Sequence, residues 1–169
     1  VPMVYYHVWD NYPYPTYNSV WYDSTDVVVT ISKLTHDIVQ NVSKETETHY
    51  LPHAVDSEWY KPIDSEEIKI LREKSGFDEE KFIVFWNNRN ARRKQPATLM
   101  YWFKKFLDRV GRDKATLIMH TDPTDPNGPN LHAVMQDLNL LNGEIQFSTS
   151  KLQLPQLAAL YNISDVTVN

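Results

Sequence analysis

The sequence predicts an α/β protein built on parallel β-sheets, and three observations carry that expectation. Short β-branched or aromatic runs alternate with segments whose apolar residues recur at helical spacing along most of the 169 residues. The apolar run FIVFW at 82–86 stops abruptly at a polar turn, after which Pro96 opens an amphipathic stretch. That is how a parallel strand hands over to its crossover helix. The irregular stretch HAVDSEWYKPID at 53–64 interrupts the alternation and reads as a junction between two such sheets.

Taken in order, residues 1–9 are apolar and aromatic enough for a buried strand, and a Tyr/Pro loop follows at 10–15. A short helix is expected at 17–22 and a β-branched strand, DVVVTI, at 26–31. Ser32 offers an N-cap for a helix whose inner face carries Leu34, Ile38, Val39 and Val42. A short strand fits 49–52. Asp64 and Glu67 form a capping box for a helix ending near Gly76. After strand 82–86, the helix at 97–110 presents Leu99, Phe103, Phe106, Leu107 and Val110 inward, with Gly111 beyond its end. Strand 115–120 precedes a Pro/Asp/Asn loop, and Asn130 caps a helix carrying Leu131, Val134, Met135 and Leu138. Strand 144–148, helix 154–161 and strand 165–168 complete the series.

Composition narrows the function. Hydrophobic residues make up 41% and charged residues 23%, which fits a globular chain with a sizeable core. A net charge of -5 argues against a general nucleic-acid binder. The absence of cysteine excludes disulfides and thiolate metal sites. No apolar run approaches the ~18 residues of a membrane span. The N-terminus shows neither a basic n-region nor a long apolar h-region, so a cytoplasmic location is expected. The chain begins without methionine in a strand-like run, which suggests a fragment.

Against the acidic background, the turn after strand 82–86 stands out, with Arg89, Arg92, Arg93 and Lys94 together. Ligands sit outside the carboxyl ends of parallel strands. A helix N-terminus adds free N–H groups and a partial positive charge. A multiply charged anion such as a nucleotide diphosphate fits this pattern; a solvated basic turn is the alternative.

Several segments resemble the retaining, GT-B-fold glycosyltransferases of the group 1 family. YLPHAVDSEWYKP is similar to that family's interdomain segment, with Ala54 where a glycine is usual. DVVVTISKLTHDIV resembles the last strand–helix unit of the N-terminal domain, and LAALYNISDVTVN the helix–strand unit before the donor-sugar loop. Arg89 and Lys94 match the family's Arg…Lys pair that grips the donor diphosphate, although Asn88 replaces the usual glycine, and Arg93 competes for the arginine role.

The resemblance implies a partial GT-B fold of Rossmann-like sheets. Residues 1–56 would end the acceptor-side domain and 57–169 would begin the nucleotide-sugar-binding domain. It implies a UDP-, GDP- or ADP-linked sugar as donor, no metal or other cofactor, and an acceptor that is a glycan or lies at a membrane surface. His7, after the first strand, matches the family histidine that faces the donor sugar; a structural imidazole satisfied by backbone at the strand end is the other reading. The two glutamates that hold the donor in the family follow the strand matching 165–168 and are not in this chain, nor is most of the N-terminal domain. Two other readings therefore stay open: a diphosphate-binding module without catalysis, and an inactive fragment that self-associates.

Other features read as structural. Asp10 is taken as a turn residue and His53 as part of the junction. The tyrosines and tryptophans of the first 22 residues suit sugar stacking, but packing against the rest of an N-terminal domain is preferred; left open, that surface invites homo-oligomers. HTDPTDPNGPN at 120–130 has no calcium-loop spacing and reads as a turn cluster. Asn41-Val-Ser43 and Asn162-Ile-Ser164 match the glycosylation sequon by chance. No dinucleotide or P-loop glycine motif is present.

Overall fold

The computed structural model describes residues 1–169. The chain forms two compact units, Val1–Asp56 and Ser57–Asn169.

The first unit contains β1 (Val4–His7), a 3-10 turn at Thr16–Asn18 running into α1 (Ser19–Asp23), β2 (Val27–Thr30), α2 (Lys33–Val42) and β3 (Thr48–Tyr50). The strands form a parallel sheet in the order β1-β2-β3. Ser32 caps α2, its Oγ accepting from the Thr35 N–H at 3.0 Å. α2 buries Thr35, Ile38 and Val39. Leu34, expected on that face, is exposed. Thr35 turns inward instead and donates its hydroxyl to the Trp9 carbonyl at 2.8 Å, so a buried polar group is satisfied where an apolar one was expected.

The core here is small: Tyr22, Val28 and Val39, with Val42 against them. The first strand differs from expectation, because Val4, Tyr5 and Tyr6 are exposed and only His7 is buried. The reason is its place in the sheet. β1 is an edge strand, and α2 packs on β2 and β3. Val8, Tyr12, Tyr17 and Trp21 are exposed as well.

The second unit contains α3 (Ser65–Lys74), β4 (Phe82–Asn87), α4 (Pro96–Val110), β5 (Ala115–His120), α5 (Leu131–Asp137), β6 (Ile145–Ser148), α6 (Leu154–Ile163) and β7 (Val166–Val168). Its parallel sheet has the order β6-β5-β4-β7. Successive side chains of β4 point to opposite faces, and both faces are covered. Val84 and Trp86 pack with Met100, Phe103 and Leu107 of α4. Ile83 and Phe85 pack with Ile163 of α6 and with Leu71 of α3. This explains why FIVFW reads as a continuous apolar run rather than an alternating one.

The inner face of α4 centres on Met100, Phe103 and Leu107. Leu99 and Phe106 flank it, and Val110, expected inside, is exposed. Asp165 fixes β7 beside β4: its Oδ2 accepts from the Ile83 N–H at 2.7 Å and pairs with the Arg72 guanidinium at 2.8 Å. Asp64 caps α3 by accepting from the Glu67 N–H at 2.9 Å. No helix is long and apolar enough to cross a membrane.

Candidate functional site

The strand order of the second unit defines one special edge. The chain steps outward from β4 to β5 to β6, then returns to lay β7 on the other side of β4. Crossovers on either side of β4 therefore run in opposite directions. The crevice at such a reversal, at the strands' carboxyl ends, is where open α/β sheets bind ligands. The turn 88–95, between β4 and α4, emerges there. Asn88 donates its Nδ2 to Asn169 Oδ1, just past β7, at 2.8 Å.

The turn is held on its other side by the β5–α5 loop, residues 121–130. Arg89 donates from Nε to Asp125 Oδ2 at 2.7 Å and from Nη2 to Oδ1 at 3.4 Å. Asn90 is fully buried and donates its Nδ2 to the Pro129 carbonyl at 2.9 Å. The Arg92 N–H reaches the Asn127 carbonyl at 3.1 Å. Gly128 makes this approach feasible, since a Cβ there would lie 2.0 Å from Asn90 Oδ1. The loop's own acids are used in turns: Asp122 accepts from Thr124, and Asp125 from the Asn127 N–H at 2.9 Å. His, Asp and Glu side chains nowhere gather in a group of three able to hold a metal ion.

Arg92–Lys94 forms a 3-10 turn, and Gln95 then takes a left-handed conformation with φ of 53° before Pro96 begins α4. No side chain caps this helix. The Leu99 N–H bonds the Gln95 carbonyl, so the free N–H groups of the first turn are those of Ala97 and Thr98. A cleft of about 390 Å³ opens here, lined by Arg92, Gln95, Pro96, Ala97, Gly128 and Pro129. Arg92 and Arg93 are exposed and Lys94 is half-buried; none of the three meets a carboxylate. Arg89 alone is paired. Hydrogen bonding to Asp125 raises its pKa, and the same contact, with the Asn127 amides, holds the Asp125 carboxyl well below the usual range. The edge thus combines uncompensated cations with an uncapped helix N-terminus, which suits a polyanion.

His7 lies in the first unit and is built differently. It is 3% exposed. Its Nε2 contacts the Tyr22 hydroxyl at 2.8 Å and its Nδ1 the Tyr5 hydroxyl at 3.1 Å. A neutral ring satisfies both, one nitrogen donating and the other accepting. Burial lowers the His7 pKa, which favours that form. Its partners are tyrosine hydroxyls rather than backbone groups. Trp9 stacks near the ring at 6.4 Å between centroids. His53 stacks on Tyr6 at 5.7 Å.

Sequence reasoning found the cations but missed what orders them. Asp125 lies 36 residues from Arg89, and only the turn signal DPNG marked its loop. Asn90 sits in a polar run that reads as exposed, so nothing announced its burial.

No protein-family model matches the chain, and no curated protein does. Solved structures do match its fold. Anabaena HepE in complex with UDP and glucose has a TM-score of 0.71 at 16% identity, covering 98% of this chain and 45% of HepE. A glycosyltransferase from Rickettsia africae gives 0.64 at 17% identity, over 97% of this chain and 44% of its own. The α,α-trehalose 6-phosphate synthase of Burkholderia multivorans gives 0.68 at 15% identity, over 98% and 45%. The chain therefore spans less than half the length of these structures. Its fold is mixed α/β with Rossmann-like parallel sheets, similar to a portion of GT-B glycosyltransferases.

Proposed function

We propose that this chain is part of a retaining glycosyltransferase whose β4–α4 turn cradles the diphosphate of a nucleotide-sugar donor. The observation that carries this reading is the uncapped N-terminus of α4 beside three cations without carboxylate partners, at the reversal of strand order. HepE was crystallised with UDP and with UDP-glucose, which supports a uridine nucleotide as the first donor to test.

In the proposed reaction the leaving diphosphate gains negative charge as the glycosidic bond breaks. Arg89 would grip two phosphate oxygens in a fork and Lys94 would supply a compact charge, with Arg93 as the alternative arginine. The N–H groups of Ala97 and Thr98 would add fixed dipoles. Such preorganised donors lower the barrier by stabilising charge where it develops. For His7 the reading assigns a place beside the donor sugar, which requires one of its tyrosine partners to yield to a sugar hydroxyl.

Calorimetric titration with UDP, GDP and ADP tests the cradle, beside an Arg89→Ala/Lys94→Ala double variant. Saturable binding of one nucleotide, lost in the variant, is the expected outcome and names the base. No heat with any of the three from the folded chain would overturn the reading. Binding without transfer or hydrolysis of a UDP-sugar would reduce it to a diphosphate-binding module.

A further inference from the structure

We infer that Asp125 is the positioning residue of this cradle, holding the Arg89 guanidinium side-on so that its outer edge remains open to a phosphate. The inference rests on the diphosphate reading above and adds a member that carries the wrong charge for a phosphate contact. The pair is side-on: Nε and Nη2 of Arg89 each face one Asp125 oxygen, at 2.7 and 3.4 Å. A guanidinium has five N–H groups in a fixed fork. This contact uses one on Nε and one on Nη2, which leaves both on Nη1 and the second on Nη2.

The exposure is asymmetric in the same sense, with the Arg89 side chain 67% exposed and that of Asp125 only 12%. The acid is thus anchored, and the arginine extends from it toward solvent. Asp125 is itself fixed. The Asn127 backbone N–H and Nδ2 both donate to its Oδ1, at 2.9 and 2.8 Å. Asn127 also accepts the Arg92 N–H through its carbonyl, and Gly128 sits against Asn90. The 121–130 loop is therefore locked to the cationic turn immediately after Asp125's contact, at Asn127 and Gly128. An exposed arginine without such a partner loses rotamer freedom when it binds; one already held loses less.

Simple electrostatics predicts the opposite role. A carboxylate beside an anion site repels the anion and competes for its arginine, so removing it should tighten binding. The sign of the effect separates the two accounts. UDP affinity is measured for the wild type, Asp125→Asn, Arg89→Ala and the Arg89→Ala/Asp125→Asn pair. Positioning predicts that Asp125→Asn weakens UDP binding by roughly tenfold, about 1.4 kcal/mol. In the Arg89→Ala background the same change causes no loss, because the carboxylate then has nothing to orient and only repels.

Tighter binding by Asp125→Asn overturns the inference and leaves the cradle standing. An equal loss in both backgrounds overturns it too, since a purely structural loop role does not need Arg89. If Asp125→Asn fails to fold, Asn127→Ala decides. That variant removes one hydrogen bond to the acid and keeps every charge: weaker UDP binding supports positioning, and unchanged or tighter binding overturns it. A wild-type chain that binds no UDP, GDP or ADP removes the cradle and this inference together.

Discussion

At the end of β1, His7 is buried with both ring nitrogens on tyrosine hydroxyls. At the end of β4, Arg92, Arg93 and Lys94 meet no carboxylate, and α4 begins without a cap. Both places are strand ends of parallel sheets carrying residues that chemistry uses. They differ in unmet capacity. The first has its hydrogen bonds made internally, so its polar atoms stabilise the fold. The second leaves charge and N–H groups uncompensated at the edge where such sheets take ligands. Residue type alone would rank a buried histidine above a basic turn; the use made of each polar atom reverses that order.

The sharpest way to break this contrast is to remove cations from the turn, the Asp125-paired Arg89 together with the unpaired Lys94. Arg89→Ala/Lys94→Ala should weaken UDP binding by at least about a hundredfold, the loss expected from two charge-assisted contacts. Its melting temperature should stay near that of the wild type, because neither side chain is buried. A variant that binds UDP as well as the parent would place the ligand elsewhere.

The next largest effect falls on the scaffold of the turn. Gly128→Ala drives a Cβ into Asn90, and overpacking of this kind costs about 1–3 kcal/mol. Urea denaturation reads it as a lower midpoint, and an unchanged midpoint would mean that the loop shifts freely. At the other strand end, Tyr22→Phe removes the hydroxyl facing His7 Nε2 and leaves a buried ring nitrogen without its partner, at a cost of about 1–2 kcal/mol. No change in stability would show that the histidine's bonds are not internal after all.

The smallest effect is a pH dependence. Burial sets the folded-state pKa of His7 below the 6.5 of an exposed histidine, so the unfolded chain takes up the proton first. The contribution is full above 6.5 and is lost as pH falls from there through the lowered folded value. The urea midpoint should therefore drop between about pH 7.5 and pH 5.5, and by less in His7→Gln. An equal drop in both would assign the effect to other groups.

Much of the architecture was legible because period and punctuation are local. Ser32 and Asn130 announced their helices and cap them as expected. FIVFW and Pro96 gave the central strand and its crossover helix. What escaped was decided at a distance. An apolar run does not reveal which face receives cover, so β1 read as buried although Val4 to Tyr6 are exposed. α4 carries Leu99, Met100, Tyr101, Trp102 and Phe103 in succession, so its inner face could be drawn in more than one place, and Met100 proved its buried centre. The cations of the site were visible as a cluster. The pairing of Arg89 with Asp125 was not, because it depends on two strand-end loops meeting.

The central claim is that the β4–α4 turn takes the diphosphate itself. Amide shifts in a nitrogen-15 labelled chain, titrated with UDP and separately with uridine, test this most directly. The account predicts that the amides of Arg92 to Gln95, Ala97 and Thr98 move with UDP and stay in place with uridine. Equal movement with both ligands, or UDP-specific shifts confined to other parts of the chain, would contradict it.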